Sequence, residues 1–142
     1  MKRACGYRRA LEEAGLQYDE SNIFETMVDY DGGVAAADMI VNSKSEFTAI
    51  VTTADALAIG LMKGFSSKGI SVPKDYSIIG FDDLDISRYL PVGLTTVKQD
   101  ISLKGEQAVE ILIKSASNQD YERQDIVMPT QIVERESVIR RK

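Results

Sequence analysis

The feature that most constrains this chain is an unbroken apolar run, Ile78–Phe81, which ends abruptly in two carboxylates, Asp82 and Asp83. An apolar run without polar alternation predicts a strand buried on both faces, as in a parallel sheet. Open α/β sheets bind ligands just beyond the carboxyl ends of such strands. Asp82 is therefore a candidate ligand contact. The alternative is that the two aspartates open a turn, since aspartate is common in turns and helix caps.

Composition indicates an ordinary globular domain and excludes several kinds of site. The 142 residues, 44% apolar and 27% charged, fit one domain of usual size. With no histidine and a single cysteine, Cys5, structural zinc and histidine-based nucleophilic catalysis are effectively excluded. The net charge of −5 argues against a DNA-binding surface on this chain itself. No apolar run reaches membrane-spanning length, no secretory signal is visible, and a lone thiol suits a reducing cytoplasm.

Hydrophobic periodicity predicts alternating strands and helices along the chain. Leu57, Leu61 and Phe65 recur every four residues and give the clearest helix, which Gly69 and Pro73 terminate. The predicted helices are Arg3–Ala14, Gly32–Val41, Asp55–Lys68, Leu84–Leu90 and Asp100–Ser115. The other predicted segments are the strands or extended pieces Asn22–Val28, Phe47–Thr52, Ser77–Phe81, Leu94–Val97, Ile126–Met128 and Gln131–Glu136, and the polar loop Ser117–Gln124. This alternation predicts an α/β fold with an open, mostly parallel, doubly wound sheet.

Several motifs stand in the order and spacing of one known family. They are Arg3–Tyr7, Phe47–Gly60, Gly69–Asp75, Gly80–Asp83, Leu94–Gln99 and Val133–Ser137. Together they resemble the effector-binding core of the lactose-repressor (LacI/GalR) family of transcription regulators, whose fold is that of the periplasmic binding proteins. One such motif is a weak signal, whereas several in register along nearly the whole chain are a specific one.

The resemblance implies an incomplete copy of the family's architecture. Residues 1–93 resemble the C-terminal effector-binding subdomain without its first strand. Residues 94–125 resemble the crossover strand and helix that the family packs into its N-terminal subdomain, and residues 126–142 hold late strands and a tail. The family's helix-turn-helix headpiece, hinge and N-terminal subdomain have no counterpart here. We therefore expect a truncated fragment, in which the missing strand leaves unpaired backbone in mid-sheet.

Two oppositely charged residues form the centre of the effector site that the resemblance implies. Arg3 matches the arginine that holds the effector's hydroxyl or carboxylate oxygens, and a planar guanidinium fork suits vicinal oxygens. Asp82 matches the family's effector-binding carboxylate, and we expect the two side chains to converge on one edge of the sheet. Considered without the resemblance, Arg3 is a solvated residue in a basic terminus.

Three further positions are candidate effector contacts with open alternatives. Asp55 opens a predicted helix, and the alternative role is a favourable interaction with the helix N-terminus. Many family members place an asparagine directly before this aspartate, where this chain has Ala54. Met27 stands where the family often has a stacking aromatic, and methionine can still pack against an apolar ring face. Gln99 lies in the crossover, where it either lines the cleft or serves only as a hinge.

The resemblance favours a non-enzymatic role. It implies the ligand-sensing part of a sugar-responsive, cytoplasmic regulator of repressor type, with a small carbohydrate-like effector, no cofactor and no metal. It also implies a homodimer formed through Asp55–Lys68 and Leu84–Leu90, with DNA bound only through a headpiece. One alternative is a solute-binding protein that serves a transporter. Another is a small metal-dependent α/β enzyme that uses Asp55 and Asp82.

Overall fold

A four-stranded sheet organises the computed structural model, which describes residues 2–43, 46–117 and 125–141. Its strands, β1 to β4, lie side by side in the order in which they follow along the chain. They are β1 (Ala49–Val51), β2 (Ser77–Asp82), β3 (Thr95–Gln99) and β4 (Thr130–Val133). The first three strands are parallel, and β4 is antiparallel to β3. The predicted α/β fold with an open, mostly parallel sheet is confirmed.

The described part of the chain also contains four α-helices and two 3-10 turns. They are α1 (Lys2–Glu13), α2 (Tyr30–Asn42), α3 (Asp55–Ser67), α4 (Ile101–Ser117) and the 3-10 turns Glu20–Asn22 and Asp85–Arg88. Of these, α1, the first 3-10 turn and α2 precede β1. The α-helices begin and end close to their predicted bounds, because apolar spacing and capping residues are local signals. The predicted helix Leu84–Leu90 is instead the short 3-10 turn Asp85–Arg88. None of the described helices is long and apolar enough to span a membrane.

Polar caps and one glycine set the helix ends. The Asp29 Oδ1 atom accepts a hydrogen bond from the Gly32 amide at 2.7 Å at the start of α2. The Asp100 Oδ1 atom accepts one from the Leu103 amide at 2.8 Å at the start of α4. Gly15, with a φ of 69°, follows the end of α1 in the left-handed region that glycine adopts readily.

The core lies where α2 and α3 pack closely against each other and α3 packs against β2. A Cβ at Gly33 would collide with the Leu57 carbonyl, and one at Gly64 would lie only 2.6 Å from the Ala37 Cβ. These glycines therefore permit the short distance between the two helices. The buried members of the core are Ala36, Ala37, Ile40, Ala58, Leu61, Phe65, Ile78 and Leu94.

Two predicted strands are wrong. The Asn22–Val28 segment begins with the end of a 3-10 turn, and its remainder is extended without strand pairing. The Phe24 ring anchors it instead, with its centroid 6.0 Å from that of Phe47. Ile126–Met128 is likewise unpaired. An apolar run forms a strand only where a neighbouring edge is available in register, which periodicity alone does not reveal. Beyond Ser117, the predicted polar loop lies outside the described residues.

Burial also differs from expectation in two elements. The strand predicted over Phe47–Thr52 is present as β1, but its predicted burial is wrong, because β1 is an edge strand and Val51 is 58% exposed. The predicted inner face of α4 is only partly correct: Ile111 is half-buried, Ala108 is exposed and Leu112 is 67% exposed. Burial needs a second covering layer, and nothing in the described ranges covers these faces.

Ser137 ties the C-terminal segment to the beginnings of β2 and β3. Its hydroxyl donates to the Ile78 carbonyl at 2.6 Å and accepts from the Thr95 amide at 2.8 Å. Its own amide donates to the Gly93 carbonyl at 3.0 Å, and its carbonyl accepts from the Ile78 amide at 2.9 Å. Ser137 is fully buried. These four hydrogen bonds fix the path of the residues that precede it, including Arg135.

Candidate ligand-binding site

The carboxyl ends of β1, β2 and β3 meet at one edge of the sheet, which we call the rim. The rim comprises Thr53 after β1, Asp82 and Asp83 at the end of β2, and Gln99 at the end of β3. The register pairs Asp82 with Lys98, so Gln99 lies one residue beyond the partner of Asp82. Ligands bind at this edge of parallel sheets because polar groups converge there.

Arg3 reaches the rim from α1. Its Nη1 atom donates a hydrogen bond to the Thr53 carbonyl, and its Cζ atom lies 3.9 Å from the centre of the Phe81 ring. A guanidinium is held well by an aromatic face together with a backbone acceptor. Because Phe81 directly precedes Asp82, the structure places Arg3 at the same edge of the sheet as Asp82. The guanidinium has five N–H donors, so one bond to Thr53 leaves donors for a ligand.

Asp82 and Gln99 are in direct contact. The Gln99 Nε2 atom donates to Asp82 Oδ1 at 2.7 Å, and both residues are half-buried. Within the described ranges, no other hydrogen bond reaches the Asp82 carboxylate. Each carboxylate oxygen can accept more than one hydrogen bond. Asp82 therefore has acceptor capacity left toward a ligand at the rim.

Asp83, the second carboxylate at the end of β2, has a different partner. Its Oδ1 atom accepts from Arg135 Nη2 at 2.6 Å, and the two side chains are only 14% and 16% exposed. Sequence reasoning did not single out Arg135, which entered only as part of the Val133–Ser137 motif. No local pattern could have paired two residues that stand 52 positions apart.

Asp55 lies beneath the rim and is fully buried. Its Oδ2 atom accepts from the Leu84 amide at 2.8 Å and from the Ser87 hydroxyl at 2.6 Å. Its Oδ1 atom accepts from the Thr96 hydroxyl at 2.5 Å. A Cβ at Gly80 would collide with this carboxylate. Asp55 thus joins the first turn of α3 to β3 and to the turn that follows β2, and we call these hydrogen-bonded residues the Asp55 cluster.

Met27 stands apart from these residues. It is 73% exposed on the segment that leads into α2. In the described ranges it makes no hydrogen bond or ring contact with Arg3, Asp82 or Gln99. The structure therefore pairs Asp82 with Gln99, holds Arg3 at the same edge of the sheet through Phe81 and Thr53, buries Asp55, and leaves Met27 exposed. No group of three or more His, Cys, Asp or Glu residues in the described part of the chain is arranged to hold a metal ion.

A second concave surface lies away from the rim, between α2, α3 and the segment that follows the second 3-10 turn. It has a volume of about 660 Å³, and we call it the apolar groove. Its main apolar lining residues are Tyr30, Val34, Ile59, Met62, Leu90 and Val92. Asp31 and Lys63 also line it and contribute opposite charges. The apolar groove and the polar rim suit different kinds of partner.

Comparison with known proteins identifies the family. The family of periplasmic binding protein-like domains matches residues 1–138. The chain belongs to this family. As a periplasmic binding protein-like domain it has the fold that the motifs indicated, and its resemblance to LacI/GalR regulators is confirmed by the relatives described next.

Curated relatives of this periplasmic binding protein-like domain are transcription regulators by name. The chain is 38% identical over 138 residues to the HTH-type transcriptional repressor PurR of Vibrio atlanticus, covering 97% of the chain and 41% of that protein. It is 32% identical over 136 residues to the ribose operon repressor of Haemophilus influenzae, covering 96% and 41%. The chain therefore spans about 41% of the length of these relatives.

Solved structures with the same fold include ligand complexes. A LacI family transcriptional regulator from Enterococcus faecium with bound ribose superposes with a TM-score of 0.82 at 29% identity, over 93% of this chain and 48% of that one. The complex of the transcriptional regulator CelR with cellobiose gives a TM-score of 0.88 at 28% identity, over 95% and 41%. The domain is thus similar to regulators whose structures hold sugars.

Proposed function

We propose that this chain is the effector-sensing part of a LacI-family transcription regulator of repressor type, with a small sugar-like effector. The observation that carries the proposal is the rim, where Arg3 stacks on Phe81 and the next residue, Asp82, accepts a hydrogen bond from Gln99. Relatives named as repressors support the regulatory role, and similar structures named with ribose or cellobiose support the ligand class.

The rim offers the two kinds of group that a polyhydroxylated ring requires. The Arg3 fork donates hydrogen bonds to adjacent hydroxyl oxygens, and the Asp82 carboxylate accepts hydroxyl hydrogens. Gln99 orients that carboxylate by donating to Oδ1, which leaves Oδ2 directed to the ligand. For Met27, which stands apart from the rim, the resemblance alone suggests packing against an apolar ring face of the ligand.

Asp55 acts through other residues and does not touch the effector. Both of its oxygens already accept hydrogen bonds within the protein, and no part of the side chain reaches solvent. It is a positioning residue that holds the exit of β2 in place. The same saturation leaves no open pair of Asp55 and Asp82 for a metal ion, so we propose no enzymatic role.

A second copy of the chain covers the apolar groove in the regulator that we propose. In a two-fold contact the same surface meets itself, so Asp31 of one copy can face the partner's Lys63. Ile86 and Tyr89, which shortly precede the groove residue Leu90 in the chain, add apolar surface that is 46% and 69% exposed. In this proposal DNA is contacted through a headpiece outside this chain, because the chain itself carries a net charge of −5. The proposed site of action is the cytoplasm.

Binding of D-ribose and cellobiose tests the effector site. Each sugar is titrated against the isotope-labelled chain, and the dissociation constant is obtained from the amide shifts of residues 81–84. Asp82→Asn and Arg3→Gln should each weaken binding at least about tenfold, because each removes a charge-assisted hydrogen bond. The matched controls are Asp85→Asn, whose side chain is 92% exposed, and Arg9→Gln, whose side chain is 78% exposed. Unchanged binding in Asp82→Asn would refute the site.

A further inference from the structure

The turn that follows β2 holds Asp82 in an unusual backbone conformation. Asp82 and Asp83 have φ angles of 119° and 54°, in the region that favours glycine, yet neither is glycine. Such backbone persists only where surrounding contacts fix it. The direction in which the Asp82 side chain leaves the rim therefore depends on what holds Asp83.

Arg135 holds Asp83 with a side chain that is itself fixed at both ends. Its Nη2 atom donates to Asp83 Oδ1 at 2.6 Å, and its Nη1 atom donates to the Leu94 carbonyl at 2.7 Å. Its backbone is docked on Thr95, because the Arg135 amide donates to Thr95 Oγ1 at 2.9 Å and the Thr95 hydroxyl donates to the Arg135 carbonyl at 3.1 Å. Ser137, two residues later, is pinned between β2 and β3.

A second arginine–aspartate pair in the same region lacks this shielding. Arg88 Nη2 lies 3.0 Å from Asp85 Oδ1, and their side chains are 55% and 92% exposed. The corresponding exposures for Arg135 and Asp83 are 16% and 14%. Water and salt weaken the exposed pair far more than the shielded one. The exposed pair is therefore a control of the same chemistry.

We propose that Arg135 is a positioning residue for the effector site, which fixes Asp83 and thereby sets the direction in which Asp82 faces the ligand. The inference rests on the proposed function, because it requires that Asp82 contacts the effector. Arg135 itself does not touch the ligand. Arginine is required because its two branches serve the Asp83 carboxylate and the Leu94 carbonyl together. A lysine keeps the charge but cannot span both acceptors in that fixed geometry.

The experiment compares Arg135→Lys with Arg88→Lys by NMR, with and without D-ribose and cellobiose. In the free protein, Arg135→Lys should shift the amide resonances of residues 81–84 and leave those of Leu61 and Phe65 in the core unchanged. It should weaken the binding of whichever sugar the wild-type chain binds at least about tenfold. Arg88→Lys should change neither the resonances of residues 81–84 nor the dissociation constant.

Asp83→Asn removes the same ion pair from its other end and should reproduce both effects of Arg135→Lys, whereas Asp85→Asn should not. Wild-type sugar binding that persists unchanged in Arg135→Lys and Asp83→Asn would overturn the positioning role alone. A wild-type chain that binds neither sugar would overturn the proposed function, and the positioning role with it. Loss of the whole fold in both variants would show a general structural contact and would also overturn the proposal.

Discussion

The Thr96 hydroxyl donates a hydrogen bond to Asp55 Oδ1 at 2.5 Å, although 41 positions separate the two residues. The same carboxylate accepts from the Leu84 amide and the Ser87 hydroxyl, so a single buried group joins α3, β3 and the turn after β2. A buried carboxylate is tolerated only when donors satisfy it in this way. The Asp55 cluster therefore fixes the place where the chain leaves β2 and enters the rim.

Asp55→Asn should lower the free energy of unfolding by about 2–3 kcal/mol, because an NH2 group replaces one acceptor oxygen and leaves a buried donor unsatisfied. Urea denaturation followed by circular dichroism measures the change. Asp85→Asn is the control, since that side chain is 92% exposed and the substitution should leave the midpoint unchanged. Equal midpoints for the two variants would contradict the structural role of Asp55.

Two glycine-to-alanine substitutions should have opposite effects on stability. Gly64→Ala should destabilise by about 1–3 kcal/mol, because its Cβ would lie 2.6 Å from the Ala37 Cβ in the α2–α3 contact. Gly105→Ala should stabilise by about 0.5–1 kcal/mol, since Gly105 lies within α4 and nothing lies within 4 Å of an added Cβ. Thermal unfolding of both variants checks the signs, and a stabilising Gly64→Ala would exclude the close helix packing described above.

Local patterns predicted most of the fold but only part of the site. The Leu57, Leu61 and Phe65 spacing predicted α3, because a helix buries one face at a fixed period. The ending of β2 at Asp82 was predicted by the change from apolar to charged residues. The Asn22–Val28 segment before α2 was wrongly predicted to be a strand, since strand pairing depends on a neighbouring strand that is distant in the sequence. The burial of Asp55 was likewise invisible in the sequence, because its donors arrive from remote positions.

Contacts between distant parts of the chain were harder to predict than the elements themselves. Glycine and alanine in α2 and α3 permit close approach of these helices, but the sequence did not predict that the two pack together. The Arg135–Asp83 ion pair was likewise not predicted, because it joins the segment after β4 to the end of β2. Long-range polar contacts depend on the assembled topology and leave no periodic signal in the chain. Arg135 was for this reason absent from the predicted site.

The charges in the apolar groove should control dimerisation. Lys63→Asp places like charges opposite each other in a two-fold contact and should shift the protein toward monomer. The double variant Asp31→Lys with Lys63→Asp should restore the dimer, because it restores opposite signs. Light scattering over a concentration series measures the change, with Lys74→Asp outside the groove as the control. A wild-type chain that stays monomeric at high concentration would contradict the proposed contact.

The chain alone should not bind DNA specifically. Its net charge is −5, and specific DNA binding requires a basic surface that can neutralise phosphates. Electrophoretic mobility at several salt concentrations, with an operator duplex and a scrambled duplex of equal length, measures the effect. A salt-resistant shift of the operator duplex alone would refute this expectation.

Sugar binding by the chain should be weak, with a dissociation constant in the millimolar range, or about 4 kcal/mol. The rim groups Arg3, Asp82 and Gln99 lie along one edge of the sheet, whereas a pocket normally encloses most of a small ligand's surface. The chain also spans about 41% of the length of its repressor relatives. A sugar held from one side stays largely hydrated, and water competes for its hydrogen bonds. Calorimetric titration with D-ribose and cellobiose measures the affinity, and a micromolar value for either sugar would show that one edge of the sheet suffices.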